Sequence, residues 1–184
     1  MEIKNNKIKL REFKEEDKER LSNLLDNINI SRWLLVYPSP FKLEDAEKTL
    51  KHMIKRSLEE PRTSYNLAIE LLDTGELIGG IGLTKIDLTQ KTGGVMYWLG
   101  ENYWKKGYGA EALKGILDFA FNKLDLRRIN AEVYPGNDAS ASLLKKFGFI
   151  KEGHLRQSAI CNADKKIKDT FYYGLLKEDY KLLL

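Results

Sequence analysis

The chain has 184 residues, enough for one domain with a substantial core. Its 42% hydrophobic and 32% charged content is that of a soluble globular protein, and a net charge of +4 spread along the chain does not mark a nucleic-acid binder. One cysteine, Cys161, excludes an internal disulfide framework and fits a reducing, cytoplasmic setting; with only two distant histidines, His52 and His154, it argues against a metal site. The first residues show no apolar signal region, and no run approaches the ~18 apolar residues of a membrane span.

Lys7 to Phe13 alternates Ile8 and Leu10 with Lys7, Lys9 and Arg11, which predicts a first strand. Glu15, Glu16 and Asp17 open a helix with acids in the turn where the dipole favours them, and Leu21, Leu24, Leu25 and Ile28 give it one apolar face. Ile30 to Phe41 is unusually aromatic for a connection. With Trp33, Leu34, Leu35, Tyr37 and Phe41 it reads either as a hydrophobic latch on the core or as the wall of a substrate pocket. A second helix spans Glu44 to Leu58 with Ala46, Leu50, Met53 and Ile54 inward; His52 lies beside that face, where a packing or surface role is expected. Pro61 breaks the chain. Thr63 to Leu72 and Glu76 to Leu88 are strands joined by the turn Asp73-Thr74-Gly75, and Gln90 to Thr92 turns into a strand that ends at Leu99, completing an antiparallel meander. Gly79, Gly80 and Gly82 leave part of the middle strand without side chains, which predicts tight packing under a helix.

The strand to Leu99 and the helix after it frame the most chemically suggestive stretch. Val95, Tyr97 and Leu99 alternate with Met96 and Trp98; Ala110, Leu113, Leu117, Ala120, Phe121 and Leu124 then form one helical face. Gly107 and Gly109 sit where that helix begins. Its first turn carries N–H groups with no intrahelical partner, and glycines let a phosphate approach them. Lys105 and Lys106 oppose the dipole there, a conflict that a bound anion would remove. The plainer reading is a glycine-loosened helix start with two solvated lysines. Arg128 to Tyr134 is the next strand, and the strand–helix–strand route makes it a parallel neighbour of the one ending at Leu99. Pro135-Gly136-Asn137 turns, Asn137 or Asp138 caps a short helix over Ala139 to Phe147, and Gly148 ends it. Phe149 to Ile160 and Lys166 to Leu176 form a hairpin across Asn162-Ala163-Asp164, and Lys177 to Leu184 reads as a last helix turn. No repeat, linker or low-complexity tract divides the chain, so residues 1–184 are expected to form one domain.

Three stretches carry a resemblance to the GNAT superfamily of N-acetyltransferases, in its RimJ/RimL-like branch. They are Tyr97-Trp98-Leu99 with Tyr103 to Leu113, then Asn137 to Ser140 with Leu144 to Phe149, then Glu152 to Arg156 with Asp169 to Leu176. Together with Leu10, Arg11 and Asp17 they cover nearly the whole chain in the right order. The resemblance implies an α+β fold: a mixed, mostly antiparallel twisted sheet of about seven strands, helices on both faces, and a cleft between the fourth and fifth strands. The pantetheine arm of acetyl-CoA would fill that cleft as a pseudo-strand. The diphosphate would sit on Lys105, Lys106, Gly107, Tyr108, Gly109 and Ala110, Asn137 would bond the pantetheine, and the strand amides at Trp98 and Leu99 would polarise the thioester carbonyl. Ser140 is implied as the hydrogen-bond donor to the sulfur. Many members place a tyrosine four residues before the glycine at Gly148; here that residue is Leu144, which closes that route. Related proteins often carry a glutamate just ahead of the Tyr-Trp-Leu run; here Gly94 stands there, which leaves Glu132, across the cleft, and Glu70 as candidate bases. Trp33, Tyr37 and Tyr97 are candidates for the walls of an acceptor pocket, and Arg32 could meet an acid.

The implied activity is acetyl transfer from acetyl-CoA to a primary amine, on a protein N-terminus (a ribosomal protein among the candidates) or a small molecule, with no metal, nucleic acid or membrane involved; a homodimer is compatible with the sequence. A non-catalytic acyl-CoA-binding or interaction module is the alternative, suggested by Gly94. A nucleotide-phosphate protein is disfavoured, because the glycine turn lacks Gly-Lys-Ser/Thr and no strand-Gly-x-Gly-x-x-Gly unit exists.

Overall fold

The computed structural model describes residues 1–181. The alternating segments form eight strands: β1 (Glu2–Lys4), β2 (Ile8–Glu12), β3 (Tyr65–Leu71), β4 (Leu77–Asp87), β5 (Thr92–Leu99), β6 (Arg128–Val133), β7 (Ile150–Ile160) and β8 (Ile167–Leu176). They lie in the order β1-β2-β3-β4-β5-β6-β8-β7, and only β5 and β6 run parallel. This is the expected α+β sheet with one strand more. β1 is three residues of mixed polarity with no periodicity to read; a tertiary contact anchors the turn that follows it, where Asn5 Nδ2 donates to the Glu111 carbonyl at 2.9 Å.

The helices are α1 (Lys18–Leu25), α2 (Ile28–Ser31), α3 (Leu43–Ser57), α4 (Tyr108–Asn122), α5 (Asp138–Lys146) and α6 (Lys177–Lys181). The helix expected from Glu15 through Ile28 is thus three pieces: a single 3-10 turn at Glu15–Asp17, then α1, then α2. Two carboxylates account for the breaks. Asp17 is clamped by Arg11 at 2.7 and 2.8 Å and accepts the Lys14 N–H at 2.9 Å, while Asp26 accepts the Phe41 N–H at 2.9 Å. The tail forms α6 with Tyr180 buried; Leu182 to Leu184 lie outside the described residues.

Strand alternation sorts the buried side chains into two cores. Leu67, Ile69, Ile81, Leu83, Val95, Ile129, Ala131 and Val133 face α4 and α5. Ala68, Leu77, Trp98 and Phe13 face the other way, against α1, α3 and the Ile30 to Phe41 connection. The β4 glycines are expected from the sequence to pack under a helix, and the structure corrects this. A Cβ on Gly80 would stand 2.7 Å from the Trp98 indole nitrogen, and one on Gly82 2.7 Å from the Tyr65 carbonyl, so the room is taken by the neighbouring strands.

The parallel ladder sets up the site. It runs from Thr92↔Arg128 to Val95↔Ala131 and stops, although β5 continues to Leu99 and stays paired to β4 as far as Gly79↔Leu99. Beyond Ala131 the chain turns through Pro135 and Gly136 (φ +92) into α5, and the sheet opens on one side only.

Candidate active site

Antiparallel pairing decides which backbone groups face this opening. The Gly100 N–H donates to the Ile78 carbonyl at 2.9 Å, which makes Gly100 and Ile78 a hydrogen-bonded pair. By alternation Trp98 bonds β4 as well, while Tyr97 and Leu99 turn their peptide groups away from β4, toward the opening. Trp98 therefore departs from its expected role. Its backbone belongs to the ladder, and its indole, 6% exposed, lies in the core over Gly80. The Leu99 carbonyl is already held by Trp104 Nε1 at 2.8 Å.

At the opened end of β5 the chain makes a 3-10 turn at Glu101–Tyr103 and enters α4 through two left-handed residues, Lys105 (φ +60) and Gly107 (φ +88). A left-handed lysine is strained, of order 1–2 kcal/mol, and such strain collects at functional turns. No side chain caps α4. Ala110 and Glu111 donate to the Gly107 carbonyl at 3.1 Å each, and no protein acceptor for the Tyr108 and Gly109 amides is found among the described residues. A Cβ at Gly107 would meet nothing within 4 Å, so the approach to these amides is clear. Lys105 and Lys106 are exposed at the same turn, with Lys106 Nζ 5.8 Å from the Tyr103 ring centroid. Amides, cations and open space fit the diphosphate of a CoA thioester.

Across the opening α5 begins. Asn137 is its N-cap, accepting the Ser140 N–H at 3.3 Å, and its Nδ2 has no partner among the described residues. Ser140 Oγ lies 2.9 Å from the Tyr97 hydroxyl. Tyr97 thus departs from the acceptor wall expected of it and reaches back to α5. Leu144 is buried, so a phenol is absent from the expected position, yet β5 delivers one to the same serine. Burial pushes the Tyr97 hydroxyl up to about 12, against the opposing effect of its bond with Ser140. It keeps its proton at neutral pH; it also reaches the Ser140 carbonyl at 3.3 Å, so the proton left for a further acceptor is that of Ser140 when Tyr97 donates to its Oγ.

The opposite face of the opening carries Glu132. Its carboxylate accepts the Tyr172 hydroxyl at 3.1 Å and has Lys85 Nζ at 3.8 Å. Burial, with Glu132 and Tyr172 nearby, raises Tyr134 beyond the ordinary phenol range. Glu70 is a poor base: burial alone would raise its carboxyl, but hydrogen bonds from Lys9 (2.7 Å) and Arg11 outweigh that and hold it below its ordinary value.

The Ile30 to Phe41 connection divides between both readings. Tyr37, 8% exposed, packs edge-on against Phe41 at 5.4 Å in the core, so its expected place on a pocket wall does not hold. Trp33 stays half-buried and, with Arg32, lines an open cavity of about 430 Å3 bordered by Pro135, Asp164 and Lys166 to Asp169. The β8 side of this cavity has no mark in the sequence beyond hairpin alternation; only the register of β6 against β8 reveals it. Among the described residues no group of three or more His, Cys, Asp or Glu side chains could hold a metal ion, and no helix is long and apolar enough to cross a membrane.

A sheet that splits beside a glycine-started crossover helix is the architecture of the acetyltransferase class. The family model described as the acetyltransferase (GNAT) domain matches residues 7–150, and the chain belongs to that family. It is 29% identical over 174 residues to the uncharacterized N-acetyltransferase p20 of Bacillus licheniformis, covering 95% of each chain. It is 28% identical over 119 residues to the ribosomal-protein-serine acetyltransferase of Escherichia coli K12, covering 65% of this chain and 64% of that one. Its fold matches a crystal structure of spermidine N-acetyltransferase from Vibrio cholerae in complex with CoA and spermine, with a TM-score of 0.80, 22% identity, and 96% and 99% of the two chains covered. GNAT acetyltransferases use acetyl-CoA, and the chain is an N-acetyltransferase of this family.

Proposed function

We propose that this chain, working as one domain in the cytoplasm, acetylates a primary amine from acetyl-CoA. The observation that carries the reading is the end of the β5–β6 ladder at Val95↔Ala131. An opened sheet interior leaves peptide groups without partners, which is costly unless a ligand supplies them. A pantetheine arm carries two amides and meets the backbone of Tyr97 and Leu99, with the unused Nδ2 of Asn137 alongside. The amides of Gly107, Tyr108 and Gly109, with Lys105 and Lys106, hold the diphosphate; the Ala110 amide, expected to join them, is already spent on the Gly107 carbonyl.

Bound acetyl-CoA supplies the acetyl group as a thioester. The Tyr97 and Ser140 hydroxyls, 2.9 Å apart, offer a hydrogen bond to the sulfur, which steadies it as it gains charge. Serine alone is a weak acid, so a hydrogen bond rather than full protonation describes its part. Glu132 takes the proton of the amine, directly or through a water, and the Tyr172 hydroxyl holds its carboxylate by a 3.1 Å hydrogen bond. Thiol release from acetyl-CoA against a panel of amines and N-terminal peptides tests the reading. Turnover on any of them supports it; CoA binding with no turnover on all of them favours the non-catalytic acyl-CoA module that Gly94 suggests.

A further inference from the structure

β6 pairs with β8 from Arg128↔Leu176 only to Val133↔Phe171, whereas β7 stays paired with β8 out to Ile160↔Ile167. Ile167 to Thr170 are therefore paired on one edge alone. The Lys177 N–H donates to the Arg127 carbonyl at 3.0 Å, which fixes the alternation: odd-numbered residues of β8 turn their peptide groups toward β6. Ile167 and Asp169 continue that series after β6 has ended. In register, the residue opposite Asp169 would be Pro135, which has no N–H to give. Pro135 and Asp169 both line the cavity of about 430 Å3 instead, with Trp33 and Arg32 on its other side.

The charged groups of the cavity are unevenly matched. Asp164 is bound to Lys168 at 3.1 Å. Asp169 is held below the ordinary carboxylate range by the Gln157 N–H (2.8 Å) and then by His154 (2.7 Å). Arg32 and Lys166 have no ion-pair partner among the described residues; Arg32 lies over the Trp33 ring at 4.8 Å, and Lys168 lies 5.1 Å from the same ring. Arg32 and Lys166 are the charges of the cavity left without an ion-pair partner among the described residues, and both are positive.

We propose that the acceptor is an extended peptide with an acidic side chain close to its amino end. It binds as an added strand along Ile167–Asp169 of β8, with the acid between Arg32 and Lys166. This rests on the acetyltransferase reading and narrows its substrate. Two alternate peptide residues would satisfy the edge that β6 abandons, and Trp33 would cover them. A polyamine has no peptide groups to offer and brings cations to a wall whose free charges are already positive.

The test is calorimetric titration of the full chain, with and without CoA, against six-residue peptides that are acidic, neutral or basic at their second and third positions, and against spermidine. The acidic peptide binds about tenfold more tightly than the neutral one, the worth of one charge-assisted contact, and the basic peptide and spermidine bind more weakly still. Backbone N-methylation moved along the acidic peptide weakens binding at alternate positions, those whose N–H faces β8, and little between them. The Arg32→Glu, Lys166→Glu double variant, with folding checked by its melting temperature, inverts the order of preference. Spermidine or the basic peptide binding as tightly as the acidic one, a flat methylation scan, or an unchanged order in the double variant overturns the proposal. Acidic peptides that bind in this pattern while no amine releases thiol would remove the acetyltransferase reading and leave the edge site standing. Turnover that prefers polyamines would do the reverse.

Discussion

Replacing Gly107 by glutamate separates the helix start as a piece of fold from the helix start as a diphosphate site. Gly107 sits at φ +88 with nothing within 4 Å of a would-be Cβ, so the cost to the free protein is backbone strain alone, about 1–2 kcal/mol. A carboxylate at a helix N-terminus returns up to about 1 kcal/mol of that through the dipole. At ~2–4 °C per kcal/mol for a chain of this size, the free variant melts at most about 8 °C lower and remains folded. CoA at a hundredfold excess over its dissociation constant stabilises the unaltered protein by ~2.7 kcal/mol, an upward shift of about 5–11 °C. The glutamate carboxylate stands where the diphosphate approaches, so this shift disappears in the variant. Gly109→Ala is the control. Gly109 is not in the left-handed region, and a Cβ there makes ordinary 3.5 Å contacts with Leu143 and Leu99. The free protein gains about 0.5–1 kcal/mol from the alanine, while its methyl crowds the amides and the CoA shift shrinks. Differential scanning fluorimetry reads all four quantities. A Gly107→Glu protein that melts lower yet keeps the full CoA shift would show that the diphosphate lies elsewhere, and the site would have to be rebuilt.

Tyr97→Phe and Ser140→Ala each lower the rate of thiol release by about tenfold to a hundredfold, the worth of a hydrogen bond to a developing charge. They leave the KM for acetyl-CoA near its original value, and the double variant loses less than the product of the two; unaltered rates in both single variants would exclude the pair from the chemistry. Because burial holds the Tyr97 hydroxyl near about 12, activity does not decline through its ionisation below pH 10, and a Tyr97-dependent loss between pH 8 and 10 would contradict the placement. Arg11→Ala strands the buried Asp17 carboxylate, while Glu70 keeps Lys9, and costs about 3–5 kcal/mol in urea unfolding. Glu70 is held below its ordinary value, so its contribution is present above the unfolded carboxylate's ~4.3 and is lost as pH falls through the lower folded value. Glu70→Gln accordingly makes the acid limb of the stability curve shallower, and an unchanged limb would refute that sign. Gly80→Ala pushes a methyl to 2.7 Å from the Trp98 indole nitrogen and destabilises by about 1–3 kcal/mol of overpacking, read by the same urea midpoint.

The sequence by itself determined what depends on neighbours along the chain. Alternation in the strands, the apolar faces of α1, α3 and α4, the glycine-opened start of α4 and a cap at Asn137 or Asp138 are local: each follows from side-chain period or from the chemistry of one or two residues. The resemblance carried by Tyr103 to Leu113 added the acetyl-CoA reading. The tertiary structure decided what depends on register and direction. Three residues of β1 exist as a strand because β2 pairs with them. Period two places Tyr97 and Trp98 on opposite faces, but only the sheet order says which face meets α5, and so turns Tyr97 from a supposed pocket wall into the partner of Ser140 and Trp98 into core. Aromatic character could not tell Tyr37 from Trp33 either, since one is buried by Phe41 and the other is left at a cavity by the path of the loop. Where β6 leaves β8 is a property of two strands separated by a helix and another strand. Neither segment contains that information alone, because hydrogen-bond register is a relation between chains of residues rather than a preference of any one of them.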